Sequence, residues 1–151
     1  PPPPPTCHRP PRPPTPTLAW SSAASDVYKS QALSQPTGLE RVALARSPQI
    51  IDEYENDPLV HDRMTASFFI NIHQAGINAI ARSKELEIPI LLMHGSEDRL
   101  TSPEGSKDFH ANAGSNVTFH LLEGLYHEVH NEPEKNKVFK IQFEWIEALL
   151  K

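Results

Sequence analysis

The stretch Ile88-Pro-Ile-Leu-Leu-Met-His-Gly-Ser-Glu-Asp98 decides how the rest of the chain is read. Ile90 to Met93 is an unbroken apolar run of strand length, opened by Pro89 and closed by Gly95. A strand apolar on both faces belongs in a parallel sheet covered by helices on either side. Pro89 has no N–H to give a ladder, which the first residue of a strand tolerates. Beyond the polar turn Gly95-Ser-Glu-Asp98, Thr101-Ser-Pro-Glu104 reads as a helix start. Either Thr101 and Glu104 form a capping box, or Ser102 caps with Pro103 at the first helical position. Gly114 is a natural stop for that helix.

Downstream the pattern repeats. Asn116-Val-Thr-Phe-His-Leu-Leu122 puts Val117, Phe119 and Leu121 on one face of a second strand. The turn Glu123-Gly-Leu-Tyr-His127 follows, and Asn131 with Glu134 is expected to cap a long helix. In that helix Val138, Ile141, Trp145 and Leu149 form one apolar stripe, with Phe139, Phe143, Ile146 and Leu150 beside it. Strand–turn–helix twice over predicts an α/β chain with parallel strands and both turns at one sheet edge. Open α/β sheets hold their ligands at that edge. Asp98 and His127 each sit in one of these turns. If the strands are neighbours, about 4.8 Å apart, a carboxylate and an imidazole meet there. A buried Asp holding a His in one tautomer is two-thirds of a nucleophilic triad. Taken singly, Asp98 is an ordinary turn acid and His127 an ordinary loop histidine.

These motifs resemble a known family. Residues 88 to 106 resemble the acid-bearing strand and turn of the monoacylglycerol lipase/lysophospholipase group of α/β-hydrolases (the serine aminopeptidase S33 type). Glu-Gly-Leu-Tyr-His-Glu-Val-His-Asn-Glu-Pro (123 to 133) resembles its histidine loop, and Ser47 to His61 the end of its cap. The resemblance runs from about Gly38 to Lys151 and implies the C-terminal portion of an α/β-hydrolase fold. It implies Asp98 as catalytic acid, His127 as base, and His130 as a second family histidine that is not the base. It also implies a lipid ester substrate (monoacylglycerol or lysophospholipid) and no cofactor. The nucleophile of that family sits in Gly-x-Ser-x-Gly, and no glycine pair in this sequence brackets a serine that way. The His-Gly segment expected to supply the oxyanion hole is missing too, since His94-Gly95 closes the acid's strand. The sequence therefore reads as the C-terminal half of a hydrolase joined to a foreign or misread N-terminus, close to inactive alone. The competing reading is a non-catalytic scaffold that acts as an interaction module through its Pro-rich arm or a partner chain.

The expected organisation is a Pro-rich disordered or linker segment (1–37), a cap remnant (38–63) and the C-terminal part of the hydrolase domain (64–151). Ten of the sixteen prolines fall in the first sixteen residues, where PxxP spacing arises from the run itself. Pro48 to Glu55 is predicted as a short helix, and Met64 to Lys84 as a long one feeding the Ile88 strand. Its Phe68, Phe69 and Ile72 are expected to pack as core, with an acyl pocket as the alternative. A net charge of −5 gives no electrostatic case for nucleic acid. The lone Cys7 excludes an internal disulfide framework. There is no apolar run of about 18 residues, hence no transmembrane segment, and no export signal. A cytoplasmic or membrane-peripheral protein with transient surface contact is the expectation. His127-Glu-Val-His130, with His120 nearby, has the wrong spacing for a zinc motif. His61, His73, His94 and His110 read as ordinary surface or core histidines.

Overall fold

Pro89 and Gly95 do bracket a strand. A computed structural model describes residues 33–151; the proline run, its PxxP spacing, Cys7 and most of the linker-like stretch lie outside the described residues. Strand β1 (Ser34–Pro36) leads through a 3₁₀ turn (Arg41–Ala43) to helix α1 (Pro48–Asn56), strand β2 (Arg63–Thr65) and helix α2 (Ala66–Arg82). After a second 3₁₀ turn come β3 (Ile90–Gly95), α3 (Pro103–Asn112), β4 (Val117–Leu122) and α4 (Lys135–Leu149). β1 pairs antiparallel with β2, so the last residues of the stretch read as linker are strand instead.

β3 and β4 pair in parallel, Ile90 beside Val117 through Gly95 beside Leu122. Residues paired across parallel strands share a face, so β3 and β4 present one face to α2 and α3 and the other to α4. Phe119 packs against His110 of α3 in a tilted arrangement, with ring centroids 5.5 Å apart, whereas Trp145 Nε1 of α4 donates to Thr118 Oγ1 at 3.3 Å. The core on the α4 side is Leu122, Leu125, Val129 and Val138, with Met93 and Ile141 packed against it.

Helix starts follow local chemistry. Of the two caps open to α3, the Ser102–Pro103 arrangement forms: Ser102 Oγ accepts from Gly105 N at 3.3 Å and Pro103 opens the helix. Thr101 is spent elsewhere, on Asp98. The expected Asn131–Glu134 cap of α4 does not form. Glu134 stands at the cap position without a side-chain cap bond, because it pairs with Arg46 while Asn131 Nδ2 donates to Glu128.

The apolar stripes are covered unevenly. Val138 is fully buried, but Phe143 is 66% exposed and Leu150 81%. On α2, Phe68, Phe69 and Ile72 are all more than half exposed, contrary to the expectation that they pack as core. The reason is the sheet's width: among the described residues β3 pairs only with β4, so two strands leave most of each helix face uncovered. Among the described residues no helix is long and apolar enough to cross a membrane.

Candidate active site

The two turns at the carboxyl ends of β3 and β4 are stitched together by backbone. Ser96 N donates to Leu122 O at 2.9 Å, Glu97 N to Leu125 O at 3.0 Å, and Gly124 N to Ser96 Oγ at 2.9 Å. Gly124 turns the chain with a φ of 74°, a left-handed value that favours glycine. Gly95 lets the second turn lie on the first: a Cβ there would fall well inside 3.0 Å of the carbonyl oxygens of Leu125 and Tyr126. Arg99 adds a side-chain tie, its guanidinium 5.4 Å from the centre of the Tyr126 ring.

This stitching brings Asp98 and His127 together, as their spacing predicts. His127 Nδ1 lies 2.8 Å from Asp98 Oδ2. The Asp98 side chain is only 2% exposed, and a buried carboxylate needs donors on all sides. Oδ1 accepts from the backbone N–H groups of Leu100 (2.8 Å) and Thr101 (3.0 Å). Oδ2 accepts from Thr101 Oγ1 at 2.7 Å as well as from His127. Burial alone would raise its pKa. The Thr101 and Leu100 amides, the Thr101 hydroxyl and His127 outweigh it and hold the group below its ordinary 3.8, at about 2. Asp98 is thus an anion at any physiological pH, and the nitrogen facing it carries a proton. That leaves His127 Nε2 as the basic nitrogen, on a ring whose side chain is 37% exposed.

Sequence reasoning passed over two contributors. His94, read as an ordinary histidine, places Nε2 3.0 Å from Asp98 Oδ2. Its only sequence signal is position: it precedes Gly95 in the strand that delivers the acid. Glu132 is buried with its side chain fully covered. Its Oε1 accepts from Tyr126 N at 2.8 Å and its Oε2 from Arg46 Nε at 2.8 Å. Beside it Glu128 N donates to Leu44 O at 2.8 Å, and Ala43, Leu44 and Ala45 are buried. Residues 43–46 therefore clamp the loop that carries His127. His130, by contrast, is turned away to Gln142 (2.7 Å) and the Phe139 ring. Among the described residues no group of three or more His, Cys, Asp or Glu is arranged to hold a metal ion.

With fold and geometry in place, kinship is plain. The pattern of the family described as serine aminopeptidase, S33, matches residues 5–134, and the chain belongs to that family of α/β-hydrolases. The match starts well upstream of Gly38, where the resemblance in the motifs begins. A monoacylglycerol lipase of Mycolicibacterium smegmatis is 34% identical over 110 residues, 72% of this chain and 39% of that protein. An uncharacterized abhydrolase domain-containing protein of Dictyostelium discoideum is 30% identical over 72% of this chain, which spans 12% of it. Among solved structures, a monoacylglycerol lipase of Paleococcus ferrophilus superposes with a TM-score of 0.66 at 29% identity. That superposition covers 81% of this chain and 51% of the lipase, so the chain spans about half or less of each of these three proteins.

Proposed function

We propose that this chain supplies the acid and the base of a serine carboxylic-ester hydrolase acting on monoacylglycerols or lysophospholipids. The observation that carries the proposal is the 2.8 Å contact between His127 Nδ1 and a buried, multiply hydrogen-bonded Asp98. In the reaction, His127 Nε2 takes the proton of a serine hydroxyl as its oxygen attacks the acyl carbonyl. The same nitrogen then protonates the departing glycerol oxygen, and in the second half activates the water that hydrolyses the acyl-serine. Asp98 fixes the ring and stabilises the imidazolium without itself taking the proton. The serine belongs to a Gly-x-Ser-x-Gly turn, a motif this sequence does not contain. Two backbone amides are needed for the oxyanion as well. Residues 38–63 act as the cap, shaping the entry for an apolar acyl chain, and the enzyme works in the cytoplasm or against a membrane surface.

A fluorophosphonate probe tests this. The chain as it stands should not label. The same chain preceded by the Gly-x-Ser-x-Gly-bearing half of a monoacylglycerol lipase should label on that serine, and Asp98→Asn or His127→Gln should abolish the labelling. Labelling of the extended chain that survives both substitutions would refute the roles of Asp98 and His127. No labelling even in a folded, extended chain would favour a non-catalytic scaffold.

A further inference from the structure

His94 approaches the same carboxylate oxygen as His127 and has a second partner of its own. Nε2 lies 3.0 Å from Asp98 Oδ2, while Nδ1 lies 2.7 Å from Ser106 Oγ on α3. The ring is 13% exposed, held between β3 and α3. We propose that His94 is a positioning residue for Asp98, a neutral imidazole whose Nε2–H faces Asp98 Oδ2 and the Thr101 hydroxyl oxygen while the Ser106 hydroxyl donates to Nδ1. This rests on the reading of Asp98 as the triad acid.

The chemistry assigns the protons. An ionised carboxylate only accepts, so the His94 nitrogen facing it carries a hydrogen. A neutral imidazole has one donor and one acceptor, which makes Nδ1 the acceptor and Ser106 the donor. Oδ1 is pinned by two backbone amides, and Oδ2 accepts from the Thr101 hydroxyl at 2.7 Å with His94 Nε2 3.0 Å away. With the carboxylate held this way, Oδ2 lies 2.8 Å from His127 Nδ1. Thr101 Oγ1 stands 3.4 Å from both His94 Nε2 and His127 Nδ1, so the hydroxyl that donates to Oδ2 is within hydrogen-bond reach of both imidazoles. Ser106, His94 and Asp98 follow one another in the spatial order of a triad. Ser106, however, lies inside α3, where the following N–H groups serve the helix's own carbonyls and offer nothing to an oxyanion. The serine orients a histidine and does not attack.

Imidazole nitrogen NMR on the full chain at neutral pH tests the assignment. His94 should show a protonated Nε2 and an unprotonated Nδ1, and Ser106→Ala should shift the Nδ1 resonance while leaving Nε2 protonated. His94→Leu should lose the low-field His127 Nδ1 proton that reports its bond to Asp98. His94→Gln, whose amide nitrogen reaches the place of Nε2, should restore it. A proton on Nδ1 of His94, an undiminished His127 signal in a folded His94→Leu chain, or fluorophosphonate labelling of Ser106 would each overturn the proposal. Should His94→Leu not fold, the tautomer in the unaltered chain and its response to Ser106→Ala decide. None of the NMR readouts needs an upstream serine, so they stand or fall apart from the labelling of the extended chain.

Discussion

Replacing Glu132 by alanine should loosen the histidine loop more than any single change to the loop's surface. The carboxylate is fully covered and serves two elements at once: Tyr126 N on the loop at 2.8 Å and Arg46 Nε at 2.8 Å, with Arg46 N a longer third donor at 3.4 Å. Breaking a buried ion pair by deleting one partner costs about 3–5 kcal/mol, because it strands the other charge. Here Arg46 is one-third exposed and keeps Glu134, so its charge is resolvated and its share is small. The Tyr126 amide has no such relief, and a stranded buried donor costs about 1–3 kcal/mol. The expected total for Glu132→Ala is about 3 kcal/mol. Glu132→Gln, which keeps an acceptor for Tyr126 N but loses the charge facing Arg46, should cost about 1–2 kcal/mol. Urea unfolding followed by circular dichroism gives the totals. Amide exchange at Tyr126 and Glu128 shows whether the loop opens first, since Glu128 N is the next link to residues 43–46. A loss under about 1 kcal/mol for Glu132→Ala, with both amides still protected, would refute the clamp.

Two further outcomes follow from the same geometry. The folded Asp98 carboxyl sits at about 2 against 3.8, a depressed value, so its contribution is present above about pH 4 and lost as pH falls through about 2. That contribution is on the order of 2 kcal/mol, and comparing the stability of Asp98→Asn with the parent from pH 5 down to pH 2 should show the gap closing across that window. Gly95→Ala drives a methyl into the Leu125 and Tyr126 carbonyls, backbone that cannot rotate aside. It should cost about 1–3 kcal/mol and abolish the low-field His127 proton; an alanine chain retaining both stability and signal would show that the two turns are less tightly apposed.

Strand β3, the parallel partner β4 and the meeting of Asp98 with His127 were all legible in the residues. Each depends on patterns a few residues long: an apolar run between Pro89 and Gly95, alternation in 117–122, and turns that right-handed connections bring to one edge. Local chemistry also offered the Ser102–Pro103 start of α3, although only the fold showed why Thr101 was not the cap: its hydroxyl belongs to Asp98. Where the reading went astray, distant partners had taken over a residue. Glu134 looked like half of a capping box until Arg46, 88 positions away, was seen to claim it.

By itself the sequence determined β3, β4 and the helices that follow them, though not the short β1–β2 pair, and which two side chains the turns would deliver to one rim, because backbone sterics and hydrophobic period act over short distances. The burial of Glu132, the approach of His94 to Asp98 and the bare faces of α2 and α4 were decided only by tertiary structure. A charge is buried, a proton placed or an apolar stripe covered according to what lies across from it in space, and the order of residues along the chain does not specify that.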